Sequence, residues 1–152
     1  MIQVRRAIPD DAAALAELRW DFRSGREPAV EPHDAFIERC AVWMRRELEG
    51  RTWQAWVAID EHGAIVGQVW VDLIEKVPNP VGERERHGYV SNLYVKPDAR
   101  GGTGTALLEA ALEWTSSNGV DSVVLWATPG SVTLYQRYRF AREGGRLMEQ
   151  KP

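Results

Sequence analysis

The sequence predicts an α+β domain: one mixed β-sheet with helices packed against it. Two observations carry that reading. Apolar residues recur at helical spacing in some segments and alternate with period two in others. A glycine-rich stretch, Gly101-Gly102-Thr103-Gly104, joins a strand-like run to a helix-like one. At 152 residues, 44% hydrophobic and 27% charged, the chain reads as a single domain over 1–152, large enough to bury a core without disulfides or metal.

The elements follow in order. Ile2 to Arg6 reads as a short strand, and Ile8-Pro9-Asp10-Asp11 as a helix start with acid near the N-cap and Pro beside it. Leu15, Leu18 and Phe22 keep helical spacing until Ser24-Gly25, and polar RSGREPAVEPHD follows as a loop. Phe36, Cys40, Trp43, Met44 and Leu48 carry a second helix to Gly50. The period then changes: WQAWVAI is rich in β-branched and aromatic residues, and DEHG supplies a hairpin turn. From Ile65 to Ile74 apolar residues fall on both parities, so both strand faces are expected to be covered. EKVPNPVGERER is a second polar loop, and HGYVSNLYV a strand that delivers the chain to the glycines. Leu107, Leu108, Ala111 and Leu112 define a third helix that Asn118-Gly119 ends. SVVLWA reads as a buried strand, and Ser131 as the N-cap of a short helix carrying Leu134, Tyr135 and Tyr138. From Phe140 onward a last hairpin is expected, turned by Gly144-Gly145.

Composition excludes several classes of function. A net charge of −3, with Arg84 and Arg86 alternating with Glu83 and Glu85, argues against nucleic acid. No run approaches the roughly 18 apolar residues of a membrane span, and the N-terminus has no signal-peptide pattern. Cys40 is the only cysteine, so no internal disulfide or thiolate cluster forms. No His, Asp or Glu cluster has ligand spacing, so no metal is expected. The expected location is cytoplasmic.

Three ligands compete for the glycine loop. A Walker-type loop needs Lys-Ser/Thr after its last glycine, and here Thr105-Ala106 follows Gly104. A dinucleotide fingerprint needs a third glycine where Leu107 stands. A nest of backbone N–H groups on a helix N-terminus instead suits a pyrophosphate held without magnesium, as in coenzyme A. On loop composition alone, a plain strand-to-helix connection stays open.

YVSNLYVKPDARGGTGTALLEAALEW strongly resembles the central motif of the GNAT (GCN5-related) N-acetyltransferase superfamily, and SVTLYQRYRF resembles its second motif, Leu-Tyr-x-x-x-Gly-Phe. The opening QVRRAIPDDAAAL and the order of elements match as well, so the resemblance covers essentially the whole chain. It implies a three-layer fold: a mixed, mostly antiparallel sheet splayed at its middle and flanked by about four helices. It also implies acetyl-CoA as co-substrate. Leu93, Tyr94 and Val95 would offer main-chain groups to the pantetheine; Arg100, Gly101, Gly102, Thr103, Gly104 and Thr105 would take the pyrophosphate. Two departures stand out. The loop is one residue shorter than the family's Arg/Gln-x-x-Gly-x-Gly/Ala, and Arg139 replaces the glycine before Phe140, a strained choice if that position needs positive φ.

Acetyl transfer to an amine needs a deprotonated nucleophile, a polarised thioester carbonyl and a proton for the departing thiolate. Tyr135 matches the family's tyrosine and is the candidate general acid. His87, with a suitable ordinary pKa, and Glu85, through a water, are the candidate bases. Ser91 and Asn92 are polar enough to orient an amine or a water. Trp20, Phe22 and Trp70 are the expected aromatic wall of an acceptor site bordered by the two polar loops. Cys40 reads as packing, since no covalent intermediate is required. The acceptor is a small-molecule or protein amine, and a homodimer is compatible with the resemblance. A non-catalytic acyl-CoA-binding module of the same fold is the alternative.

Overall fold

The computed structural model describes residues 1–152. Its elements run β1 (Gln3–Arg6), α1 (Ala12–Ser24), α2 (His33–Glu49), β2 (Trp53–Ile59), β3 (Ile65–Glu75), β4 (Arg86–Val95), α3 (Thr103–Ser117), β5 (Ser122–Val124) and α4 (Val132–Arg137). The strands form one sheet in sequence order, antiparallel from β1 to β4 and parallel between β4 and β5.

Alternation within the strands builds the layers. Ala55, Val57 and Trp70 point to one face, where Ala12, Leu15 and Ala16 of α1 and Met44 of α2 bury them. Trp56, Ala58, Val69, Val71 and Val90 point to the other, against Leu107, Leu108 and Ala111 of α3. Both faces are therefore apolar, as the doubled parity of β3 predicted. The start of α1 is pinned to β1 by a forked ion pair: Arg5 donates to both oxygens of Asp11 at 2.8 and 3.0 Å, and the Ile8 N–H donates to the same carboxylate at 2.8 Å.

Two irregularities shape the middle of the sheet. Gln68 pairs with Tyr94 but Trp70 pairs with Ser91, so β4 carries one extra residue there. Asn92 takes up that bulge at φ +56°, a conformation asparagine tolerates better than most residues. On its other side β4 pairs with β5 only from His87 to Tyr89, after which the two strands part.

The last helix ends in a Schellman motif. The Phe140 N–H donates to Tyr135 O at 3.2 Å and the Arg139 N–H to Gln136 O at 3.1 Å, with Arg139 at φ +66° in the position that favours glycine. The Phe140 ring then packs edge-on against Tyr135 at 5.6 Å between centroids.

The C-terminal expectations need correction. No strand forms after Phe140. Gly144-Gly145 do turn the chain, held by the Glu143 carboxylate on the N–H groups of Arg146 and Leu147, but the flanking segments offer mainly charged residues and exposed Leu147 and Met148. Nothing there repays the entropy of ordering a strand. SVVLWA accordingly is not a buried strand: only Ser122–Val124 pairs, its outer edge has no neighbour, and Trp126 is 65% exposed.

Strain at Arg139 yields a test. Arg139→Gly relieves a left-handed conformation that costs an ordinary residue about 1 kcal/mol, so the melting temperature should rise by roughly 2–4 °C. An unchanged or lower value in thermal unfolding would contradict the strain.

Candidate active site

Where β4 and β5 part, a cleft of about 550 Å³ opens. Its lining includes Leu93, Tyr94 and Val95 on β4, Arg100, Gly101, Gly102, Gly104 and Thr105 at the head of α3, and Tyr135 on α4. The loop geometry follows from its glycines. Gly101 and Gly102 lie at φ +108° and +102°, open to glycine alone at little cost, and turn the chain into α3. The first intrahelical bond of α3 runs from the Ala106 N–H to Gly102 O, leaving the N–H groups of Gly101, Gly102, Thr103, Gly104 and Thr105 without a partner in the chain. Thr103 itself faces inward; its hydroxyl donates to Ala99 O at 2.6 Å and braces the turn rather than lining the cleft. Arg100 Nε donates to Val95 O at 3.3 Å, tying the loop to the end of β4.

The charge of this cleft is one-sided. Arg19, Arg23, Arg26, Arg100 and Arg137 border it, and no Asp or Glu does. These arginines come from α1, the loop after it, the glycine loop and α4, so no run in the sequence announces them. With the free amides and the α3 N-terminus they make a site for a polyanion.

A second cleft, about 610 Å³, lies on the α2 side. Phe36, Trp43, Trp53 and Trp70 give it aromatic walls, and Arg19, Ser91 and Asn92 border both clefts. The bulge at Asn92 is thus where the two meet. Arg19 reaches it from α1, donating to Asn92 Oδ1 at 3.3 Å. Burial lowers the Arg19 guanidinium's pKa and neighbouring Arg23 lowers it further.

Tyr135, only 7% exposed, lines the polyanion cleft. Burial pushes its phenol up, offset in part by the nearby Ser131 hydroxyl, so it stays protonated through neutral pH. Tyr138 is outside the cleft, donating to Glu109 at 2.7 Å.

Other expected residues are placed apart. His87 is the second residue of β4, at the end away from the bulge, with Nδ1 hydrogen-bonded to Ser122 Oγ at 2.7 Å. Glu85 accepts the Asn79 N–H at 2.9 Å, and neither residue lines either cleft. The loop EKVPNPVGERER does not border the clefts, because it is anchored at Asp121, which accepts the N–H groups of Arg84 and Glu85 and pairs with Lys76 at 3.2 Å. Of the three expected wall residues, Trp70 lines the second cleft and Phe22 the first, while Trp20 packs on His33 and Phe36 of α2. Cys40 also borders the second cleft, its thiol pushed up by burial and hence a poor nucleophile. No group of three His, Cys, Asp or Glu side chains converges as metal ligands would.

One carboxylate near the bulge has no counterpart in the sequence reading. Asp72 shares the sheet face of Trp70 and pairs in register with Tyr89 and Trp53, which border the two clefts. Its Oδ1 is buried without a hydrogen bond. Burial raises its carboxyl, and Glu47 adds to that.

The chain belongs to the acetyltransferase (GNAT) family, whose model matches residues 12–140. A GCN5-related N-acetyltransferase from Ralstonia eutropha JMP134 is similar at 27% identity and TM-score 0.82, over 100% of this chain and 98% of that one. A predicted acetyltransferase from Clostridium acetobutylicum, crystallised with acetyl-CoA, shares the fold at 22% identity and TM-score 0.79, over 99% and 96%. A ribosomal-protein-alanine N-acetyltransferase from Brucella melitensis shares it at 22% identity and TM-score 0.72, over 99% and 100%. No curated protein matches by sequence. No helix is long and apolar enough to cross a membrane.

The glycine loop can be tested without disturbing the fold. A methyl group on Gly104 meets nothing closer than Val95 at 3.9 Å, and alanine favours the helix. Gly104→Ala keeps the backbone N–H but sets a methyl group against the approaching phosphate, so it should keep the melting temperature while weakening acetyl-CoA binding about tenfold, as a lengthened hydrogen bond to a charged group would. Unchanged affinity in a calorimetric titration would show that the ligand does not approach this backbone.

Proposed function

We propose that the chain transfers an acetyl group from acetyl-CoA to a primary amine by direct attack within a ternary complex. The observation that carries this is the row of unpartnered amides from Gly101 to Thr105, set among arginines at the mouth of the β4–β5 splay. Pyrophosphate on those amides would leave the pantetheine arm along Leu93–Val95 and bring the thioester to the bulge, between Asn92 and Tyr135. The amine enters from the aromatic cleft. Its nitrogen adds to the thioester carbonyl, the C–S bond breaks, and the thiolate takes a proton from Tyr135. A thiolate with a pKa of about 8–9 is a fair leaving group, so positioning supplies much of the rate.

His87 and Glu85 line neither cleft, and each is held in a hydrogen bond at the end of β4 away from the bulge, to Ser122 and to the Asn79 N–H. Asp72, which lines neither cleft but shares the sheet face of Ser91, is the proton acceptor in this reading and reaches the amine through water. It must be ionised to serve, and its carboxyl is raised. kcat/KM should therefore fall as pH drops through that raised pKa.

Two substitutions test the assignments. Tyr135→Phe should lower kcat at least about tenfold with acetyl-CoA affinity unchanged. Asp72→Asn should cost about a hundredfold in kcat and remove the acid limb of the pH profile. Full turnover in either variant would take that residue out of the chemistry.

A further inference from the structure

The cleft on the α2 side carries three arginines, and they are not equivalent. Arg39 is paired with Glu31, and Arg46 with Glu47. Arg19 has no carboxylate partner; its one hydrogen bond, to Asn92 Oδ1, is long at 3.3 Å and uses one of its five donors. Removing a guanidinium from water without a counter-charge is costly. Arg23 close by adds repulsion. Such a cation, standing where both clefts meet, is poised for an anion that arrives with a ligand.

Acetyl-CoA's phosphates do not meet that need. The glycine loop lies beyond Val95, past the end of β4, whereas Arg19 touches the bulge at Asn92. An anion facing Arg19 would instead belong to a molecule in the aromatic cleft, which Arg19 also borders. A guanidinium fork matches a carboxylate with two parallel hydrogen bonds. The surrounding Phe36, Trp43, Trp53 and Trp70 suit an apolar or aromatic body, and about 610 Å³ admits one the size of an amino acid side chain.

We propose that Arg19 is the carboxylate receptor of the acceptor site, and that the amine acetylated here bears a carboxylate beside its nitrogen and an apolar or aromatic side chain. This rests on the acetyltransferase reading above. Pairing with Arg19 anchors the acid group, leaving the nitrogen of an α-amino acid near Ser91 and Asn92. Arg19's positive charge also favours the neutral amine over the ammonium.

Calorimetry on the whole chain tests this in two arms. The first titrates acetyl-CoA alone. The second titrates L-phenylalanine, L-leucine and L-methionine into protein saturated with CoA, each beside the amine that lacks its carboxylate. At least one amino acid should bind about ten to a hundred times more tightly than its partner amine, the range of a charge-assisted pair. Arg19→Gln should erase that difference in CoA-saturated protein while leaving the affinity for the plain amines unchanged, and Arg19→Lys should restore part of it. Plain amines binding as tightly as the amino acids, or no amino acid binding to CoA-loaded protein, overturns the proposal and leaves the acetyltransferase reading standing. Failure of the acetyl-CoA arm overturns both.

Discussion

β4 pairs with β3 along most of its length but with β5 over three residues only, and that asymmetry creates the site. Had the parallel pairing continued past Tyr89, backbone would fill the space that the first cleft occupies. The bulge at Asn92 works with the splay, because an extra residue bends and twists the strand that carries it. Both depend on the layers behind them. α3 packs under Val69, Val71 and Val90, and α1 under Ala55, Val57 and Trp70, so β4 is held against β3 while its far edge is left free.

The same packing fixes the polar parts of the site. Gln68, fully buried, donates to Leu15 O at 3.1 Å and accepts from Trp70 Nε1 at 2.9 Å, which locks α1 and the Trp70 ring to the sheet next to the bulge. At the opposite wall, the Schellman motif turns Phe140 back onto Tyr135 and holds its ring in place. The arginine at +66° is the strained residue of that motif, so local backbone strain is tolerated one turn from a residue of the site. A chain of net charge −3 thereby presents an arginine-bordered cleft, since its carboxylates face elsewhere.

Much of the fold was legible because it is periodic. The helical spacing of Leu15, Leu18 and Phe22, the doubled parity of β3 and the glycines before α3 each follow from local rules, and each corresponds to an observed element. The glycine loop could be singled out for the same reason. The acceptor side is different in kind. Arg19 meets Asn92 across 73 residues, and Trp43, Trp53 and Trp70 come together from three elements, so no local spacing points to them. His87 looked suitable because of its chemistry, and only the register of β4 shows that it lies at the end of the strand away from the bulge. The missing C-terminal hairpin has a simpler cause. Turn residues alone do not make a hairpin when the flanks have little to bury.

Amide hydrogen exchange with and without acetyl-CoA tests the central claim most directly, because it reads the loop residue by residue. The N–H groups of Gly101 to Thr105 have no partner in the free chain and should exchange fast; bound acetyl-CoA should slow that row, while ATP and NAD leave it unchanged. Exchange at these five residues that is indifferent to acetyl-CoA, or slowed equally by ATP, would contradict the account.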